Sequence, residues 1–180
     1  MGRIMNGLAP PDLMHLDAAE GWLGLGNAIE ANVELEKIDP RMRAHPDVLE
    51  VRYEIYAMEG HWAACVDIAS AILEMEPKSS FGWIRRSFAL HELKRTAEAR
   101  ENLLPAAHHF PEEITIRYNL ACYECVLGNM GPARLRLAEA FRLAQNQDCF
   151  DQWRLLALDD KDLEPLWGQL GAGLADEPLD

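Results

Sequence analysis

Apolar side chains along this chain recur three and four residues apart, the spacing that gathers them on one face of a helix. Over residues 114–127 the stripe is Ile116, Leu120, Tyr123 and Leu127. It closes at Gly128, a residue type suited to ending a helix in the left-handed conformation. A second stripe runs through Ala133, Leu137 and Ala140. It opens at Pro132, whose missing N–H costs little at a first helical position. The spacing predicts two helices with a short joint between them. The same joint recurs upstream: LGNAIEA from residue 25 matches LGNMGPA from residue 127, with EGHWAAC and LKRTAEA between them.

The recurrence has a fixed period. Four windows of 34 residues, 12–45, 46–79, 80–113 and 114–147, align without a gap. The twentieth place is small in each window (Ala31, Cys65, Ala99, Ala133), and the fifteenth is Gly26, Gly60, Lys94 and Gly128. Where two helices of a hairpin cross, a small side chain lets the backbones approach to ~8 Å. The eighth place faces that crossing and holds Ala19, Tyr53, Ser87 and Ala121, so local repacking is expected at Tyr53. The twenty-fourth (Leu35, Ala69, Leu103, Leu137) and twenty-seventh places (Ile38, Ile72, Ala106, Ala140) are apolar throughout and should pack onto the next repeat. A period of this length means stacked helix pairs. The expected fold class is therefore all-α, an α-solenoid of about four helix-turn-helix repeats.

Prolines modify the scheme. Pro40 should cut the second helix of the first window short, and Pro105 should kink or end that of the third. After residue 147 the stripe Trp153, Leu156 and Ala157 begins like a fifth repeat, breaks over 159–162 and resumes over 163–170. An array needs its last apolar face covered, so residues 148–170 are read as capping helices. Residues 1–11 form an N-terminal extension and 171–180 a loose acidic tail.

Composition narrows the class of function. A net charge of −13 over 180 residues disfavours nucleic acid, which needs clustered Lys and Arg. The first two windows carry seven acids each, the third balances five against five, and the fourth holds four bases and two acids. No apolar run suits a bilayer, so no membrane partner is expected. The first ten residues lack a secretory h-region and a myristoylation signal, and the expected compartment is the cytoplasm. Cys65, Cys122, Cys125 and Cys149 are then expected as reduced thiols.

These features together resemble the tetratricopeptide repeat (TPR). The residues that carry the resemblance are Trp83 at the fourth place, Ala19 and Ala121 at the eighth, and Trp22 and Tyr56 at the eleventh. Ala31, Ala99 and Ala133 at the twentieth place, Ala106 and Ala140 at the twenty-seventh, and Pro77 and Pro111 at the thirty-second complete it. Arg117, Glu124 and Cys65 depart from the pattern, and Pro40 comes three places early. The ending ALDDKDLEPLW is similar to the terminal unit of many bacterial members. The resemblance implies a superhelix whose first helices line a concave groove for peptides or helices. Its fifth and ninth places here are Leu16 and Glu20, Glu50 and Glu54, Ile84 and Phe88, Tyr118 and Cys122. They lack the Lys and Asn of the family's carboxylate clamp.

The expected groove is acidic at Glu50 and Glu54 and apolar at Leu16, Phe81, Ile84, Phe88 and Tyr118, with His91, Cys122 and Cys125 also facing it. Such a surface suits a protein or peptide with an apolar anchor beside a Lys or Arg. Phe81, Ile84, Phe88 and Tyr118 are the expected anchor pocket, unless the chain's own ends cover part of it. Cys122 and Cys125 share a helix face and would admit a metal or redox reading, but no second pair at zinc-site spacing follows. His108 and His109 sit near a helix end, where a cation favours the dipole. No paired acid and base or activated nucleophile stands out. The expectation is a non-catalytic interaction module without cofactor or metal. The alternatives are a self-assembling scaffold that stacks head to tail as a homo-oligomer, and a metal-binding or redox accessory protein acting through Cys122 and Cys125.

Overall fold

A computed structural model describes residues 7–170 and shows helices joined by tight turns, with no strand among the described residues. The helices are α1 (Pro10–Gly24), α2 (Ala28–Leu35), α3 (Pro46–Met58), α4 (Trp62–Met75), α5 (Ser80–Glu92), α6 (Thr96–Leu103), α7 (Ala106–His109), α8 (Ile114–Val126), α9 (Met130–Asn146) and α10 (Phe150–Asp159). A 3₁₀ helix (Lys161–Leu166) and the short α11 (Trp167–Leu170) follow. The loose tail expected at 171–180 lies outside the described residues.

One joint is built four times. After α1, Gly26 takes φ 75°, and its N–H donates to the Leu23 carbonyl while that of Asn27 reaches back to Trp22. Gly60 (φ 73°), Lys94 (φ 63°) and Gly128 (φ 80°) repeat the geometry with the same pair of backbone bonds. This double bond around a left-handed residue satisfies carbonyls that a helix end otherwise leaves bare. Lys94 holds it without glycine's freedom, at a cost of about 1 kcal/mol. Asp148 (φ 55°) closes α9 by the same device.

Packing follows the period. Ala31, Cys65, Ala99 and Ala133 are fully buried, as are all residues at the twenty-fourth and twenty-seventh places. Ala19, Tyr53, Ser87 and Ala121 are likewise inaccessible. Tyr53 is accommodated by sending its hydroxyl to the Arg85 carbonyl at 2.9 Å and its ring against Phe81. Gly82 faces α4 so closely that an added Cβ would lie 2.9 Å from the Leu73 backbone.

Pro40 and Pro105 act as expected, whereas Pro132 falls at the third helical position and not the first. α2 ends at Leu35 ahead of Pro40, and Pro105 separates α6 from α7. α9 begins at Met130, two residues before Pro132, and α8 ends at Val126. Leu156, expected to be packed, is 49% exposed; the buried face of α10 is carried by Ala157.

The chain divides into two compact units, Met1–Ala89 and Leu90–Asp180. In the first, Leu16, Ala19, Ala31, Leu35, Ile38 and Ile55 belong to one core cluster. Tyr53, Cys65, Ala69 and Ala89 form another. In the second, Ile116, Leu120, Ala121 and Tyr123 of α8 and Ala133, Leu137 and Ala140 of α9 are buried.

Candidate functional site

In the first unit, α3 and α5 carry the side chains of interest. Glu50 and Glu54 stand one turn apart on α3, and Phe81, Ile84 and Phe88 share a stripe of α5; all five are partly exposed. Leu16 does not join them. At 4% exposure it belongs to the core under α1.

The two glutamates have different surroundings. Glu54 is neutralised by Arg85 at 2.5 Å. The Arg85 guanidinium also lies 5.2 Å from the Phe81 ring centre and 5.5 Å from that of Tyr53, a geometry in which cation and ring attract. Burial pushes the Glu50 carboxyl above its ordinary value, and Asp47, Glu76 and Glu20 push it the same way against Arg85. Phe88 rests edge-on against Trp62, with ring centres 5.7 Å apart. The first unit thus offers half-buried aromatics, a ring-stacked cation and an acidic cluster with too little positive charge.

The second unit uses its corresponding face differently. Tyr118 donates its hydroxyl to Asp160 at 2.9 Å and packs against Trp153. The Cys122 thiol points to the same carboxylate oxygen at 3.5 Å. His91 bonds Asp162 through Nε2 at 2.8 Å and Thr96 through Nδ1 at 3.0 Å. Leu163 and Leu166 of the 3₁₀ helix are buried, and Trp167 Nε1 donates to the Ala157 carbonyl. The sequence Asp160-Lys161-Asp162 therefore forms a strap, Asp160 accepting from Tyr118 and Cys122 of α8 and Asp162 pairing with His91 of α5. Tyr118 (4% exposed), Cys122, Cys125 and His91 are not open groove surface as expected, because the closing segment of the chain covers them.

The thiols follow from that burial. Cys122 is pushed well above the ordinary thiol value by burial and by Asp160, and Cys65 and Cys125 are each raised to about 11, again chiefly by burial. Such thiols stay protonated and react slowly. Among the described residues no three His, Cys, Asp or Glu side chains converge to hold a metal ion. No helix of the described residues is long and apolar enough to cross a membrane.

Two departures from the repeat pattern find local partners. Arg117 donates to the carbonyls of Phe110 and Ala107 at 2.6 and 2.7 Å, closing the end of α7. The 7%-exposed Glu124 accepts from Asn129 at 2.6 Å and from Arg100 at 3.4 Å. Sequence periodicity missed the roles of Asp160, Asp162 and Arg85. The Asp-Lys-Asp spacing directly after the α10 stripe was the one signal available for the strap.

No protein-family model and no curated protein matches the chain. Solved structures do. The one titled "MamA RS-1 ArsTM double mutant" is similar at TM-score 0.67 and 14% identity, over 76% of this chain and 77% of that one. The one titled "MamA MSR-1 C2" reaches TM-score 0.64 and 18% identity, over 76% and 78%. At such identities the likeness speaks for the fold alone, and together with the repeated joint and the buried twentieth place it establishes that the chain has a TPR-like helical-repeat fold.

Proposed function

We propose that the protein is a non-catalytic interaction module whose first unit binds a peptide or helix carrying an apolar anchor beside a basic residue. The observation that carries this reading is the state of Glu50, a half-buried carboxyl pushed up by burial and by acidic neighbours while Glu54 is already paired. A Lys or Arg arriving there relieves an existing electrostatic cost as well as forming a new pair. Phe81, Ile84 and Phe88, half-buried on one stripe of α5, supply the apolar contact that gives such interfaces most of their energy. Tyr118 drops out of the anchor pocket, since it is committed to Asp160 and Trp153.

The test is selection of displayed peptides on the intact protein. Enriched peptides are expected to pair an aromatic or aliphatic residue with Lys or Arg. Binding should weaken at least tenfold in Phe81→Ala/Phe88→Ala and severalfold in Glu50→Gln, while helical circular dichroism is unchanged. Peptides that bind all three proteins equally would end the reading.

A second reading, assembly with further copies, is favoured by the apolar side chains that the first hairpin exposes: Met14 at 70%, Leu25 at 77% and Ile29 at 71%. Sedimentation at low and high salt separates the two. A monomer at every concentration excludes assembly.

A further inference from the structure

The second unit contains a cleft of about 590 Å³ at the junction of α7, α8 and α9, away from the strap on α8. Its charged lining consists of Arg117, Arg136 and Arg142, with Glu139 as the opposing carboxylate and His108 at the edge. Three guanidiniums around one carboxylate are unusual in a chain of net charge −13. Each arginine is held differently. Arg117 is fixed by its two bonds to carbonyls, which occupy one N–H on each terminal nitrogen. Arg136 leans on Glu139 at 2.9 Å, one turn along α9. Arg142, a further turn on, is exposed and has no ion pair among the described residues. Burial is the main cause that lowers the Arg117 pKa, with nearby Arg136 acting the same way and Glu139, Glu112 and Glu113 acting against it. Leu104, Pro105 and Leu143 make the rest of the wall apolar.

We propose that this cleft is a second binding site, taking an acidic peptide segment whose carboxylates are gripped by Arg142, Arg136 and Arg117. Guanidinium groups match carboxylates through paired N–H bonds, and each retains free donors here. The cleft volume falls in the range of sites that enclose a ligand, well beyond one small ion. Its apolar wall fits the aliphatic stems of Glu or a neighbouring Leu better than a bare anion. The charge of the occupant is the reverse of that proposed for the first unit. One chain would thereby hold a basic segment on one unit and an acidic segment on the other.

Fluorescence anisotropy of a labelled Glu-Glu-Leu-Glu-Glu peptide, with a Lys-Lys-Leu-Lys-Lys peptide as control, tests this on the full chain. The acidic probe should bind the wild type, and raising ionic strength should weaken it. Arg142→Glu should cost tenfold or more, and Arg136→Gln/Arg142→Gln should also lose binding with the melting temperature within a few degrees of wild type. Phe81→Ala/Phe88→Ala should bind the acidic probe as the wild type does, which separates this site from the first. Three results each overturn the proposal: no binding of the acidic probe by the wild type, equal binding by both arginine variants, or displacement by millimolar inorganic phosphate but not by sodium chloride of the same ionic strength. The last would mark a site for small oxyanions.

Discussion

Glu50 shows how one side chain reports on its surroundings. Its folded pKa is raised, first by burial and then by Asp47, Glu76 and Glu20. A group raised on folding favours the folded state below its unfolded value, around pH 4, and loses that contribution as pH climbs through the folded value. At pH 7 its charge is therefore a net cost. Glu50→Gln should raise stability by about 0.5 kcal/mol at pH 7, a figure discounted for solvent screening. The gain should vanish in urea melts at pH 4; a gain independent of pH would show that packing rather than charge is responsible. Lys94 makes the matching point for the backbone. It sits at φ 63° where the other three joints use glycine. Lys94→Gly should stabilise by about 0.5–1 kcal/mol, and Gly60→Ala should destabilise by at least as much. Equal melting temperatures for the three proteins would remove the strain argument.

At the level of helices and turns, the period was legible because its causes recur. A crossing tolerates only a small side chain, and a left-handed joint favours glycine, so each repeat carries the same two signals. Ala31, Cys65, Ala99 and Ala133 accordingly stand fully buried where the register puts them. What periodicity cannot carry is a polar pairing between distant segments. Asp160 meets Tyr118 across 42 positions, and Asp162 meets His91 across 71, with no recurring spacing to announce either. For that reason Tyr118, Cys122, Cys125 and His91 read as groove surface in the sequence and are covered in the fold. Leu16 was misplaced for a simpler reason: one residue of an amphipathic helix edge does not tell core from groove. The strap itself is open to test. Asp160→Ala removes the shared acceptor of Tyr118 and Cys122 and should lower stability by about 1–3 kcal/mol. It should also speed iodoacetamide labelling of Cys122 at least tenfold, read by mass spectrometry. Unchanged labelling would mean that the apolar contacts of Leu163 and Leu166 close the segment unaided. Gly82→Ala should cost about 1–3 kcal/mol through its clash with Leu73 on α4, measured by chemical melts.

For the molecule as a whole, charge is the property that no single repeat displays. Thirty acids against seventeen bases give a strongly negative chain, yet the fourth window is the basic one. Net repulsion of this size weakens the compact state and is screened by salt. Melting temperature should therefore rise by a few degrees between about 0.05 and 0.5 M sodium chloride. A fall would mean that local pairs such as Arg85 with Glu54 outweigh the general repulsion. The strap also bears on how the protein is made. Asp160 and Asp162 follow α8 in the chain, so a growing polypeptide makes Tyr118 and Cys122 on that helix before the carboxylate that holds them. Ribosomes that pause in this interval leave oxidisable sulfur and bare aromatic surface in reach of chaperones and oxidants, a hazard that ends only when two late aspartates arrive.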